Sequence, residues 1–291
     1  MINVNEIVDY VKASIGEGAE VHARKCDKGN GVVLDAIGIR PYDSKVEAMI
    51  YLNFATDDMD SMQIASRVLA AYREQYMNRI DLSPVNVVRD YDRVKEKLFL
   101  KLSSCPAEDL VKARAFCDIY MTAYIKLFDT CDKGVINVTD QLLDCWGIDK
   151  ETLFADALAN AKKKEHTCLR TMAEHFSIAF PFLNLGDAES DDSFGALNYL
   201  KILTNDENCN GASAILLRDD LPEEYYLLPS SRHEVIIVPA FEGMDASLFI
   251  DMVRYVNATE VNPEDVLSDN AYHCVNGVFS IVGDEKIEVS L

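Results

Sequence analysis

Residues 225–239 read YYLLPSSRHEVIIVP, two apolar runs separated by a short polar segment. Both runs have the length and the apolar, β-branched or aromatic side chains that are typical of strands, and the polar segment contains proline and serine, which favour turns. The pattern predicts a hairpin with strands at residues 225–228 and 234–238. Similar turn signals separate other apolar runs, so we expect sheets that are mostly antiparallel.

Helical periodicity and strand-like runs alternate irregularly through the rest of the sequence. Helices are predicted at residues 4–15, from 61 to a turn at 81–84, and at 90–97, 139–146, 149–164 and 246–256. Strands are predicted at residues 21–25, 32–40, 46–54, 98–102, 115–128, 135–138, 199–203 and 212–217, with further strands within 271–291. This combination predicts an α+β fold in which helices pack against largely antiparallel sheets.

A chain of 291 residues is long enough for one large domain or for two smaller ones. The best candidate boundary is the segment SSCP at residues 103–106, where turn-forming residues interrupt the strand pattern. We expect an N-terminal α+β lobe at residues 1–105 and a C-terminal α+β lobe at residues 106–291. The alternative is one compact unit in which this segment is an ordinary loop.

Acidic residues greatly outnumber basic ones, with 49 Asp and Glu against 28 Lys and Arg and a net charge of −21. Affinity for nucleic acids depends on Lys and Arg neutralising phosphates, so direct nucleic-acid binding is not expected. The longest basic run, residues 162–164, lies at the end of a predicted helix, where the helix dipole favours cations without any ligand. The acidic surplus instead predicts a protein partner with a basic surface.

Eight cysteines are scattered along the chain without a Cys-x-x-Cys pair, unlike those of a disulfide scaffold or a zinc ribbon. His166, Cys168 and His175 lie close in sequence, but their spacing does not match a zinc knuckle. Cys168 and His175 are therefore predicted to be ordinary helix residues, and no metal or cofactor is expected.

The N-terminal residues lack a signal-peptide pattern, and the uncharged stretch at 176–186 is too short for a membrane helix. We expect a protein of the reducing cytoplasm that does not bind membranes.

The polar turn of the predicted hairpin is the most distinctive candidate site. Its side chains are Ser230, Ser231, Arg232, His233 and Glu234. Loops on rigid strands often carry function, so we expect these residues to form a binding surface. Ser230, Ser231 and His233 also supply the hydroxyl and imidazole of a nucleophilic site, although neighbours on a strand point to opposite faces. His273 and Cys274 are a second adjacent pair of this kind.

Several motifs spread over most of the chain resemble those of a domain-of-unknown-function family. They are DYDRVKEK at 90–97, WGI at 146–148 with the helix at 153–160, LLPSSRHEVIIVP at 227–239, MVRYVN at 252–257, and VLSD at 266–269 with Tyr272. The resembling family is found in bacteria of the gut, often within integrated mobile elements. The resemblance implies a bacterial cytoplasmic accessory protein, and no catalytic residue comes with it.

These features favour a non-enzymatic interaction protein of a bacterium or its mobile element, in which the acidic surface and the 229–234 loop engage a protein partner. A host-defence or nucleic-acid-binding protein is one such partner, with the chain acting as a DNA mimic, but the interspersed Lys and Arg weaken that variant. The less favoured alternative is a hydrolase or transferase with its site around Ser230, Ser231 and His233. A structural subunit of a homo-oligomer, recognisable by a large apolar patch, is the third possibility, and the oligomeric state is left open.

Overall fold

A computed structural model describes residues 3–28, 31–43, 47–77, 87–127, 135–179, 198–207, 209–284 and 288–290. The chain divides into two units, Met1–Asn86 and Val87–Leu291. The turn at 103–106, where the sequence predicts the division into residues 1–105 and 106–291, lies within the second unit. The strand that precedes this turn pairs with the strand at Ile119–Lys126, so the turn connects parts of one sheet.

The first unit is a three-stranded meander covered by two helices. Its elements are α1 (Val4–Ile15), β1 (Ala19–Asp27), β2 (Val33–Pro41), β3 (Ala48–Tyr51) and α2 (Ser61–Met77). The sheet order is β1-β2-β3, with antiparallel pairing throughout. The apolar faces of the helices and strands form one core that includes Ile7, Val11, Ile37, Ile39 and Val68. The elements predicted for this region are confirmed, and the predicted turn at 81–84 lies outside the described residues.

The second unit contains two antiparallel sheets and the remaining helices. Its helices are α3 (Tyr91–Val94), α4 (Asp140–Trp146), α5 (Lys150–Lys164), α6 (Met172–Ala179) and α7 (Ser247–Thr259). Its strands are β4 (Leu98–Ser103), β5 (Lys112–Phe116), β6 (Ile119–Lys126), β7 (Val135–Asn137), β8 (Thr167–Thr171), β9 (Lys201–Asn205), β10 (Glu224–Ser231), β11 (Glu234–Pro239), β12 (Tyr272–Val275), β13 (Val278–Ile281) and β14 (Glu288–Ser290).

Four strands form a sheet in the order β4-β6-β5, with β7 also paired to β6, and seven form a sheet in the order β14-β13-β12-β10-β11-β9-β8. Short 3-10 helices lie at Gly16–Gly18, Lys95–Lys97, Gly211–Leu216 and Pro263–Asp265. The predicted α+β class with mostly antiparallel sheets is confirmed. Among the described residues, no helix combines the length and the apolar character that crossing a bilayer requires.

The single strand predicted at residues 115–128 is wrong, because a tight turn at Cys117 and Asp118 divides it into β5 and β6. Cys117 adopts a φ of 42°, a left-handed conformation that sequence patterns assign to Gly or Asn. The Arg114 guanidinium donates a hydrogen bond to the Cys117 carbonyl. The Asp118 carboxylate accepts one from the Tyr272 hydroxyl at 2.7 Å. Tertiary contacts thus hold a turn that has no local signal.

The strand predicted at residues 212–217 is also wrong, since the structure has a 3-10 helix at Gly211–Leu216. Ala212, Ser213, Ala214 and Ile215 are buried, and a short apolar run enclosed on all sides has no period that distinguishes a strand from a helix. Cys168 lies on β8 rather than on the predicted helix.

Gly211 allows the start of this 3-10 helix to approach the β10–β11 hairpin closely. A Cβ atom at this position would lie 2.4 Å from the His233 carbonyl oxygen and 2.8 Å from the Asn205 backbone nitrogen. Both are backbone atoms of strands or their turns, which move only if neighbouring hydrogen bonds are disturbed. The glycine is therefore required for the packing of this segment on the hairpin.

We expect Gly211→Ala to lower the free energy of unfolding by about 1–3 kcal/mol, the usual cost of overpacking a tight interior. Urea denaturation followed by the fluorescence of Trp146, the only tryptophan, reports on the second unit. The unaltered protein is the reference for this measurement. Equal urea midpoints for Gly211→Ala and the unaltered protein would contradict the close approach.

Candidate functional site

The hairpin predicted from the sequence is formed by two central strands of the seven-stranded sheet, and all five candidate residues lie at or next to its turn. β10 and β11 pair antiparallel, and their register shifts next to the turn. Leu227, Val235 and Ile237 are fully buried, so apolar packing fixes the strands. The turn is shorter than the sequence predicts, because β10 continues through Pro229 to Ser231 and only Arg232 and His233 lie between the strands. The side chains at 230–234 are partly exposed. The sheet therefore presents the polar turn on a rigid support.

The His233 imidazole uses both of its ring nitrogens within the fold. Nδ1 lies 3.2 Å from the backbone nitrogen of Asn210. That N–H can only donate, so Nδ1 accepts and, in the neutral ring, Nε2 carries the proton. Nε2 lies 3.3 Å from Oδ1 of Asp265. The ring in this arrangement has no remaining lone pair with which to deprotonate a hydroxyl.

The two serine hydroxyls stabilise the turn itself. Ser231 Oγ accepts a hydrogen bond from the backbone N–H of His233 at 3.0 Å, and Ser230 Oγ donates one to Glu234 Oε1 at 3.3 Å. Within the described part of the chain, neither hydroxyl is bonded to the His233 ring. A Ser-His nucleophile depends on such a bond. The geometry thus gives no support to the hydrolase or transferase alternative, which stays a prediction.

Asp265 fixes the turn from a distant part of the chain. Its Oδ1 lies 2.8 Å from Arg232 Nε, and its carbonyl oxygen accepts a hydrogen bond from the Arg232 N–H, also at 2.8 Å. Thr204 Oγ1 donates a further hydrogen bond to the His233 carbonyl at 2.8 Å. Neither Asp265 nor Thr204 belongs to a motif with the hairpin, so sequence reasoning missed both.

Lys101 adds a positive charge beside this turn. It is the only charged residue of β4, whose sequence is LFLKLS, and its Nζ donates a hydrogen bond to Asn137 Oδ1 at 2.8 Å. Burial and the neighbouring Arg232 guanidinium lower the pKa of Lys101 to about 8, and Cys209 acts in the opposite direction. A lysine in an otherwise apolar strand is a signal that could have identified this residue from the sequence.

The other candidate residues do not form a common site. Cys274 is fully buried, whereas the His273 ring stacks on Tyr226 and places Nε2 3.0 Å from Glu224 Oε1. Burial raises the pKa of Cys274 above its usual value, which disfavours a reactive thiolate. In the described ranges, no three His, Cys, Asp or Glu side chains are placed to hold a metal ion, and this includes His166, Cys168 and His175.

An exposed row of apolar side chains on α7 is a second candidate surface. The sequence predicts this helix at residues 246–256. Phe249, Ile250 and Val253 pack into the core of the second unit. The exposed large apolar residues form what we term the α7 stripe, which consists of Leu248, Met252 and Tyr255, with 60%, 50% and 69% of their surfaces exposed. Their i, i+4, i+7 spacing places them on one face of the helix.

The family model with the description "Family of unknown function (DUF5688)" matches residues 3–274. The chain belongs to the DUF5688 family. The match includes the hairpin and α7, and it confirms the resemblance to a domain-of-unknown-function family. No curated protein and no solved structure gives a significant match. The association of DUF5688 with gut bacteria and mobile elements stays a prediction.

A double-mutant cycle tests the ion pair that holds the turn. We expect Arg232→Gln and Asp265→Asn to be coupled by about 1 kcal/mol, because these side chains are only 35% and 17% exposed. Urea denaturation of the two single variants and the double variant measures this coupling. The control pair is Lys95 and Asp92, which are 44% and 85% exposed and should show a smaller coupling. If the two substitutions have additive effects on the free energy of unfolding, the ion pair does not stabilise the turn.

The lowered pKa of Lys101 predicts a characteristic pH dependence. Between pH 8 and 10.5 the unfolded chain binds more protons at this residue than the folded chain, so the stability contributed by the lysine rises with pH through that window. We therefore expect Lys101→Met to raise the free energy of unfolding at neutral pH by about 1–3 kcal/mol, with a smaller gain at pH 10. Denaturation at both pH values measures the change, with the exposed Lys163→Met as control. A gain independent of pH would be inconsistent with a charged, buried lysine.

Proposed function

We propose that this DUF5688 protein is a cytoplasmic interaction protein that binds a partner protein with a basic surface. The observation that carries the proposal is the α7 stripe together with the carboxylates around it. Exposed apolar side chains in a row are costly on a protein surface and commonly mark a site of protein contact. A partner helix is the natural ligand for a face with this spacing.

Charge surrounding the α7 stripe favours a basic partner. Residues 241–264 contain five Asp and Glu residues against the single base Arg254. Asp251 is exposed and lies three residues after Leu248 and four before Tyr255, within the stripe itself. An amphipathic helix bearing Leu or Phe with Lys or Arg would therefore match both the apolar and the charged parts of this surface.

The same charge disfavours other occupants. A second copy of this chain would bring another net charge of −21 to the surface, and nucleic acids would bring phosphates. Nucleic-acid-binding proteins do carry basic faces, so they are candidate partners. The turn end of the β10–β11 hairpin, residues 229–234, is proposed to contribute to binding through Arg232 and Glu234, which are partly exposed. The described cysteines form no disulfides, which is consistent with the reducing compartment proposed here.

Three synthetic helical peptides test the proposal by standing in for the natural partner. One is an amphipathic Leu/Lys peptide, one a Leu/Glu peptide of the same pattern, and one a Ser/Lys peptide of the same positive charge. We expect only the Leu/Lys peptide to bind with measurable affinity by isothermal titration calorimetry. Its affinity should fall with added salt, because screening weakens attraction between exposed charges.

Two variants locate the binding surface. Leu248→Ser combined with Met252→Ser should weaken binding of the Leu/Lys peptide at least about tenfold, since it removes apolar area without adding charge. Ile178→Ser is the matched control, because Ile178 is 59% exposed and lies on α6. Equal binding of the Leu/Lys and Leu/Glu peptides, or an unchanged affinity in the double variant, would refute the proposal.

A further inference from the structure

A cavity of about 320 Å³ lies in the second unit, and none of the residues that the proposed function uses lines it. Residues near the ends of α5, β6 and β9 line it, and Phe99 and Leu127 give it apolar surface. This volume is at the lower end of the range found for small-molecule sites. The cavity therefore has room for a small ligand.

Glu165 lines this cavity and carries an unsatisfied carboxylate oxygen. It follows the last residue of α5, and its backbone N–H caps the helix by donating to the Ala161 carbonyl. Its Oε2 is inaccessible to solvent and has no hydrogen-bond partner among the described residues. Burial raises the pKa of Glu165 to about 7, an effect that Lys126 opposes and Glu207 reinforces. A buried acceptor without a donor is unfavourable unless a ligand supplies one.

The other charges that line the cavity are largely engaged with one another. Lys126 forms an ion pair with Glu207. Lys164 donates a hydrogen bond to the Glu96 carbonyl, and its Nζ lies 3.8 Å from Glu96 Oε2.

Asp206 Oδ1 lies 2.8 Å from Cys168 Sγ and accepts its hydrogen bond, while Lys97 and His166 complete the charged or titratable lining. In the described part of the chain, Glu165 takes part in no ion pair. The lining thus has four carboxylates against three lysines.

We propose that this cavity binds a small organic ligand with a primary ammonium group, and that the Glu165 carboxyl, whose Oε2 is closed to solvent in its present position, rotates into the cavity to accept a hydrogen bond from it. The ammonium supplies both the missing donor and the compensating charge, and the Phe99 and Leu127 side chains contact the hydrocarbon part. A metal ion fits less well, since no set of three ligating side chains is present among the described residues. A small anion would add to the excess of carboxylates.

n-Butylammonium and n-butanol provide a matched pair of probes, because they share a hydrocarbon chain and differ in the charged donor. We expect saturable shifts of the backbone amide signals of Asn205 and His166 with n-butylammonium in two-dimensional NMR, and none with n-butanol at equal concentration. Glu165→Gln keeps the size of the side chain and should weaken n-butylammonium binding at least about tenfold. Glu96→Gln also removes a carboxylate from the lining but should change the affinity less than threefold.

The pH dependence of n-butylammonium binding distinguishes the role of Glu165 from that of His166. The affinity of the unaltered protein for n-butylammonium should rise about tenfold from pH 6 to pH 8, as the Glu165 carboxyl ionises. His166 also lines the cavity, so its imidazole needs a separate variant. His166→Gln should preserve the rise, and Glu165→Gln should abolish it. Equal binding of n-butanol, unchanged affinity in Glu165→Gln, or a rise that disappears with His166 would each overturn the proposal, whatever the outcome of the peptide experiments on α7.

Discussion

The burial of Phe116 is the constraint on which the second unit depends. Its ring stacks on Phe279 with centroids 4.3 Å apart and meets Tyr272 edge-on at 5.3 Å. Phe116 belongs to the four-stranded sheet and the other two rings to the seven-stranded sheet, so a single core joins both. Aromatic pairs of this kind add to the stabilisation that burial alone provides. Because the sheets share this core, side chains from β4 and from the β10–β11 turn lie close enough to influence one another's charge.

The parts of the fold that the sequence predicted are those with a local cause. Asp149 accepts a hydrogen bond from the Thr152 N–H at the start of α5, and such caps are visible in a few consecutive residues. The hairpin at 225–239 was equally local. The turn at Cys117 and the 3-10 helix at Gly211–Leu216 were not, because distant groups hold them in place. Asp118, for instance, receives hydrogen bonds from side chains more than a hundred residues away.

In the candidate sites too, the sequence predicted the residues that have a local signal and missed those positioned by distant parts of the chain. The polar residues of the hairpin turn were found because unusual residue types follow one another, yet the partner that orients Arg232 and His233 is Asp265, which no spacing rule connects to them. Glu165 had no signal at all, since a glutamate after a lysine-rich helix end is an ordinary surface pattern. Lys101 could be identified from the sequence only in part. Its strand pattern indicates burial, but only the three-dimensional arrangement shows that Arg232 lies nearby.

The charge of the whole chain also says little about its individual sites. A net charge of −21 would favour protonated lysines everywhere if the field acted over long distances, and Lys101 shows the opposite. At physiological ionic strength, exposed charges are screened beyond about 8 Å, so local desolvation and the closest neighbours decide the protonation state. The pKa of a partly buried group such as Lys101 is therefore set by local burial and its nearest neighbours rather than by the overall acidity.

The order of the seven-stranded sheet has a consequence for the behaviour of the protein at high concentration. Within the described ranges, its outermost strands are β14 and β8, which contain three and five residues. Unpaired backbone at a sheet edge is a template on which another molecule can add a strand, and short edges limit how many hydrogen bonds such an addition can form. The longest strands of this sheet, β10 and β11, lie inside it with neighbours on both sides. The architecture therefore keeps its most apolar strand sequences away from intermolecular pairing and from growth into fibrils.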